Sequence, residues 1–201
     1  MSDINNKIKI FHTESRRPNK DQYYLEIAEA VAQRSTCLSV CFGAIIVKDD
    51  QIISTGYVGA PRKTKDCMEL GYCIRRRKNI PSGTGYEMCR SVHSEMNAII
   101  NAARAGVSLL GGDMYLHCTK READNTLKLV KAYPCLLCKK MIINAGIRRF
   151  VGHDEKGNIE EYYIDDWVKD WQTLEDISSG KELYKTEYTS ADIKKMSSKK
   201  K

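Results

Sequence analysis

Apolar residues fall at helical spacing in "DQYYLEIAEAVAQRS", where Tyr24, Ile27, Ala28 and Val31 share one face, and this predicts a helix over about residues 21 to 35. The period then changes. "FGAIIVKDDQIISTGYVGA" reads as two short apolar strands joined at Asp49-Asp50, a hairpin or close to one. Residues 61 to 90 lose all periodicity and form a basic, Gly/Pro-punctuated segment with three cysteines. A stretch that long without regular structure inside one domain needs a reason to be ordered, and a metal would be one. Periodicity returns in "SEMNAIINAARAGV", a helix with Met96, Ile99, Ile100 and Ala103 on one side and Gly106 as its stop. "GDMYLHC" is a strand, and "READNTLKLVKAY" is a loop or short hairpin. "PCLLCKKMIINAG" is a helix with proline just inside its start and glycine just past its end. "IRRFVGH" reads as a strand, "YYIDDWVKDWQTLEDI" as a helix and "ELYKT" as a last strand. Strands alternating with helices predict an α/β or α+β sandwich, with helices packed on a sheet.

Composition narrows the class only a little. At 201 residues the chain is long enough for one domain with a real core. Residues 19–188 are expected to form it, between a flexible segment at 1–18 and a basic, disordered tail at 189–201. The net charge of +7 gathers partly at the ends, at Arg16, Arg17, Lys20 and the closing "KKMSSKKK". A terminal lysine run is a solvated tail more often than a nucleic-acid arm, so nucleic acid is not an expected partner. No apolar run approaches the ~18 residues of a membrane-spanning helix, and the first residues lack a signal-peptide core, so a cytoplasmic location is expected. Eight cysteines in that compartment stay reduced and serve as metal ligands, catalytic groups or small buried hydrophobes.

Spacing separates these roles. In "CRSVHSEMNAII" His93 stands two residues before Glu95, at the head of a helix. In "PCLLC" Cys135 and Cys138 stand three apart at the start of another, where both sulfurs face one side and the helix N-terminus favours thiolate. One imidazole and two thiolates make three protein ligands, leaving a tetrahedral zinc ion one position for water. Structural zinc sites are normally closed by four protein ligands, so this set predicts a catalytic one. Glu95 needs no place among the ligands and is the candidate proton shuttle, beside water whose pKa zinc lowers to about 7.

H-x-E followed by P-C-x-x-C resembles the zinc-dependent cytidine and deoxycytidylate deaminases, whose chemistry is hydrolytic attack at C4 of cytosine with loss of ammonia. "RSTC", "GAIIV" with "GYVGAP", "CMELGYCIRRRKNIPSG", "EMCRSVHSEMNAI" and "MIINAGI" look like the deoxycytidylate branch, over roughly residues 20 to 152. The resemblance implies an α/β, cytidine-deaminase-like three-layer sandwich, a mixed five-stranded sheet flanked by helices, in a chain that assembles as a hexamer. It implies conversion of dCMP to dUMP for thymidylate synthesis, with dCTP and dTTP as possible effectors. Alternatives are a deaminase of dCTP, another cytosine nucleoside or nucleotide, or tRNA adenosine; a non-enzymatic zinc module leaves Glu95 with nothing to do.

Cys67, Cys73 and Cys89 lie in the irregular segment and, with Cys37, could close a Cys₄ site. Related sequences carry a second, structural zinc at matching positions, which would supply much of the segment's folding free energy; the other reading is reduced, partly buried thiols. Cys41 and Cys118 sit in strand-like runs and read as core. "GYVG" puts Val58 where the branch has a nucleotide-binding asparagine, so Val58 is a candidate substrate contact that offers no side-chain hydrogen bond. Asn97, after Glu95, is a second candidate or an exposed helix residue. Arg62, Lys63, Lys65 and Arg104 are surface charges or phosphate partners, and the extra residues at 121–132 stand near one mouth of the expected site.

Overall fold

The structure, a computed structural model, describes residues 17–81 and 84–173. The terminal segments expected at 1–18 and 189–201, except residues 17 and 18, and the last strand at 182–186 lie outside those residues. Helix α1 (Lys20–Ala32) opens the described chain, capped by Asn19, whose side chain accepts the Gln22 N–H at 2.8 Å. Strands β1 (Val40–Lys48) and β2 (Gln51–Tyr57) follow as the expected hairpin. Asp49 and Asp50 both take positive φ, 49° and 62°, the conformation a two-residue loop needs to match strand twist.

The irregular stretch holds two short helices, α2 (Cys67–Leu70) and α3 (Ile74–Arg77), and a 3₁₀ turn at Tyr86–Met88. Asp66 and Glu69 form a reciprocal capping box on α2. Helix α4 (Ser94–Ala105) ends, as expected, at Gly106 in the left-handed conformation, φ 69°. Strand β3 (Asp113–Arg121) pairs with a short β4 (Leu127–Leu129), so "READNTLKL" is a hairpin. Helix α5 (Leu136–Asn144), strand β5 (Arg149–His153), strand β6 (Ile159–Tyr163) and helix α6 (Ile164–Thr173) complete the set. Among the described residues no helix is long and apolar enough to cross a membrane.

The sheet runs β2-β1-β3-β5-β6, with β4 paired to β3 off that path. It therefore has one strand more than the five expected. Every pair is antiparallel except β3 with β5. Residues alternate between faces, so Ile45, Val47, Tyr115 and Val151 pack on α1 through Tyr24, Leu25 and Ala28. Ala44, Ile46, Met114, Leu116 and Phe150 face the opposite layer, with Ala98 and Ala102 of α4, Ile142 of α5 and Trp167 of α6. Helices cover both faces, the expected three layers. In the second layer the fully buried side chain of Lys139 brings its ammonium over the rings of Tyr133 and Trp167, at 4.4 and 4.9 Å, and joins α5 to α6.

β2 and β3 both run antiparallel to β1, so β2–α4–β3 and β3–α5–β5 are two crossovers on the same face. Both helices therefore begin at the same end of the sheet, and α4 touches α5. The topology brings His93 to Cys135. A glycine sets how closely α4 sits: a Cβ on Gly56 would overlap Ala98 N and Ser94 O, both helix backbone that cannot yield as a side-chain tip would. Gly56→Ala is expected to destabilise by about 2 kcal/mol or more, as overpacking does, and to lower the melting temperature by about 5 °C or more. Because the clash pushes on the turn bearing Ser94 and Glu95, metal affinity should fall with it; thermal melts with and without added zinc check both.

Candidate active site

His93 is the N-cap of α4 and Cys135 the N-cap of α5, with Glu95 and Cys138 one to three residues inside. Unpaired backbone N–H groups at both helix starts place partial positive charge where thiolate and carboxylate belong. His93 Nδ1 lies 3.4 Å from Cys135 Sγ and 3.3 Å from Cys138 Sγ. Zn–N near 2.0 Å and Zn–S near 2.3 Å at a tetrahedral angle require an N···S separation of roughly 3.5 Å, so the donor set fits zinc. Its three ligand atoms lie within 4.8 Å of one another, and among the described residues no other group of three or more metal-ligating side chains does so.

The protons of the set are unevenly held. Cys138 is buried, and its bond to Cys135, its burial and the charge of Glu95 push its pKa well above the usual thiol value. Cys135 is lowered, first by the Cys138 thiol donating to it and then by His93, against the opposing effect of burial. Of the two thiols, Cys138 is the one that keeps its proton. Burial opposes charge on His93, but the Cys135 sulfur and Glu95 outweigh it and raise its pKa.

Glu95 is 3% exposed and accepts the Ser94 hydroxyl at 2.8 Å, and its carboxylate reaches the Cys138 thiol. It stands beside the ligand set without belonging to it. Cys118 lies near it on β3, fully buried, its thiol pushed well up by burial first and by Glu95 second. Cys41 is buried too, its sulfur accepting from Arg121 at 3.2 Å, so both residues are core, as expected.

With this geometry the chain can be set beside known proteins. Residues 18–153 match the family model described as the cytidine and deoxycytidylate deaminase zinc-binding region. The chain belongs to this family. It is 35% identical over 140 residues to the deoxycytidylate deaminase of Mycobacterium phage D29, covering 67% of this chain and 94% of that protein. The Schizosaccharomyces pombe deoxycytidylate deaminase is 31% identical over 137 residues, 68% of this chain but 38% of that one, so this chain spans well under half of the yeast protein. Among solved structures it is similar to the cyanophage S-TIM5 dCMP deaminase in complex with dCMP and dUMP, at 23% identity over 67% of this chain and 80% of that one, TM-score 0.45.

The other candidates of this deaminase-family chain fall in distinct places. Val58 is 4% exposed and continues β2, its N–H donating to Phe42 O at 3.0 Å and its C=O accepting from Thr36 at 3.1 Å. It is an interior residue rather than a turn position open to solvent. Asn97 gives its Nδ2 to Tyr57 O at 2.8 Å, and Asn101, a turn later, gives its own to Thr55 O at 2.8 Å. Together they satisfy carbonyls on the side of edge strand β2 that has no neighbouring strand. Cys37, Cys67, Cys73 and Cys89 share one region, where burial raises the Cys67 and Cys89 thiols and charge on Cys37 and Cys73 would raise both further, but they do not reach the close spacing of the His93 set. Arg62 donates to Asn101 at 2.8 Å, so it is tied to α4 two turns beyond His93.

Tyr86 and Arg75 carry no signal in the sequence. The Tyr86 ring meets His93 edge to face at 5.0 Å, and the Arg75 guanidinium lies over Tyr86 at 4.9 Å. Nothing in the aperiodic segment marks them except that they are an aromatic and a cation.

Because Cys138 and His93 hold protons more tightly than isolated groups, zinc has to displace them. We expect zinc uptake to release more than one proton near pH 7. Zinc affinity should fall as pH drops, since the protonated ligands dominate below their raised pKa values. Zinc titrations by calorimetry in buffers of differing ionisation enthalpy, from pH 6 to 8, measure both.

Proposed function

We propose that this chain catalyses the zinc-dependent hydrolytic deamination of dCMP to dUMP and ammonia. The observation that carries this reading is Glu95: a buried carboxylate against a His/Cys/Cys set, within a chain that matches the deaminase family. Phage and yeast relatives named deoxycytidylate deaminase support the substrate.

His93, Cys135 and Cys138 would hold the zinc ion, which supplies a Lewis acid able to make water a nucleophile near neutral pH. Glu95 takes the proton from the attacking water. It passes it to N3 of the cytosine ring, and a second transfer to the exocyclic nitrogen lets ammonia leave as C4 gains its oxygen. The Ser94 hydroxyl orients the carboxylate, and burial keeps bulk water from competing for its proton. Val58 and Asn97 stand at the end of β2 beside α4, and in this reading the buried Val58 backs the sugar side of the pocket while Asn97 would line it. The Asn97 amide nitrogen is committed to Tyr57, so its oxygen is the group that would face a hydroxyl.

Around this site we also propose a second, structural zinc on Cys37, Cys67, Cys73 and Cys89, supported by family resemblance and by a segment otherwise short of regular structure; their sulfurs would have to close on the ion, since no three of them meet the spacing of the His93 set. A cytoplasmic, hexameric enzyme that responds to dCTP and dTTP completes the reading, on family resemblance.

Glu95→Gln tests the function. Ammonia release from dCMP should fall by about 10²–10⁴-fold or more, as for loss of a general acid-base, while zinc content is unchanged. Turnover near the parent rate would refute the assignment, and zinc loss would make Glu95 a ligand. The second metal is tested by elemental analysis of active protein, with two zinc ions expected per chain. Cys135→Ala should abolish activity and leave most of the fold. Cys73→Ser should lower the melting temperature and speed proteolysis within 61–90, because it breaks a closed set. One zinc per chain with Cys73→Ser as stable as the parent would leave the thiols simply reduced.

A further inference from the structure

We infer that Arg75 receives the 5′-phosphate of the substrate and so sets the preference for a nucleotide over a nucleoside. This rests on the dCMP reading above and adds to it the residue that would read the phosphate.

A phosphate partner has to satisfy two conditions. It must carry a cation not already tied to protein anions, and it must stand off the His/Cys/Cys set by about one sugar, because C4 of the base reacts beside those ligands. None of the partners described for the arginines near the site is a carboxylate, so position separates them. Arg62 is bound to Asn101, two turns along α4 from His93, roughly 12 Å along the axis. Arg104 lies a further turn out, in the open notch it shares with Arg62, Asn101 and Thr55. Arg90 donates to Lys65 O. Of the three arginines on α3, Arg76 reaches Leu38 O at 3.4 Å and Arg77 stacks on the Tyr72 ring at 3.6 Å.

Among these six, Arg75 is the one that stacks on a ring packed against His93. Its guanidinium lies on Tyr86, and Tyr86 packs edge-on against His93, so one aromatic ring separates the cation from the imidazole. One Nη2–H is used on Pro81 O at 2.6 Å, which fixes the plane of the fork without neutralising it. A guanidinium held this way, half-buried against an aromatic face, keeps N–H groups for an oxyanion and gives up little rotamer freedom when one binds. The same geometry explains what the 61–90 segment does for the site. It carries the Arg75–Tyr86 stack that packs against His93.

The test compares dCMP with deoxycytidine as substrates, and dUMP with deoxyuridine as ligands by calorimetry, on zinc-loaded parent, Arg75→Ala, Arg75→Lys and Arg62→Ala. For Arg75→Ala, KM for dCMP and Kd for dUMP should rise about 10- to 100-fold, the range for a lost charged hydrogen bond. Deoxycytidine turnover, deoxyuridine affinity and zinc content should stay within about twofold of the parent. Arg75→Lys should recover part of the loss, and Arg62→Ala should behave as the parent. An unchanged ratio of nucleotide to nucleoside, or an equal fall for both, overturns the assignment and makes Arg75 a structural residue. A loss carried by Arg62→Ala instead moves the phosphate to the α4 notch. A parent that does not discriminate dCMP from deoxycytidine would contradict the nucleotide reading itself, a result distinct from any of these.

Discussion

The site depends on the contact between one strand and one helix. α4 lies against β2 with no side chain between them at Gly56, and that separation fixes where Ser94 and Glu95 stand. Two amide bonds then set the helix along the strand, Asn97 to Tyr57 and Asn101 to Thr55. A third pairing sits just before the helix, where Gly59 and Val92 exchange backbone hydrogen bonds at 3.2 and 2.8 Å. His93 is the next residue. Its imidazole is thus held from both sides of its own backbone, and the facing helix, begun at the same end of the sheet by the second crossover, brings the sulfurs to it. Catalytic geometry here is mostly backbone geometry, which is why a glycine and two asparagines matter as much as any charged group.

The parts of this arrangement that are legible in the sequence are those with local rules. His-x-Glu and Cys-x-x-Cys announce donor chemistry by residue type and spacing, and Gly106 and Asp49-Asp50 announce the end of a helix and a tight turn through positive φ. Strand β6 is not legible. "IEEYY" has no alternating apolar face because it forms the outer edge of the sheet, and Glu161 is there to pair with Arg149 at 2.9 Å. The helix expected from Tyr162 therefore begins at Ile164. α1 also ends earlier than the periodicity suggests, at Ala32, and Ser35 turns its hydroxyl to Phe42 O at 3.2 Å. Val58 reads as part of a glycine-flanked turn, yet long-range bonds to Phe42 and Thr36 bury it. Such pairings cannot be read from neighbours in sequence.

The segment from 61 to 90 is the other side of the same account. Its order comes from caps and contacts of short range: the Asp66–Glu69 box, the left-handed Gly71 and the arginine–aromatic stacks at Tyr72 and Tyr86. None of these buries much apolar surface, so the segment's order rests on many small local contacts. The segment contributes Tyr86 to the wall of the metal-ligand set, and its stability and the site's geometry are coupled through that ring.

The central claim is that His93, Cys135 and Cys138, seated by these backbone contacts, make a deamination centre with Glu95. Stripping the metal with a chelator, reloading with zinc or with magnesium, and following ammonia release from dCMP tests it most directly. The account predicts no turnover in the stripped protein, recovery with zinc and none with magnesium, whose hard-cation preference suits neither thiolate nor imidazole. Turnover that persists without metal, or zinc-loaded protein that binds dCMP and never releases ammonia, would contradict it.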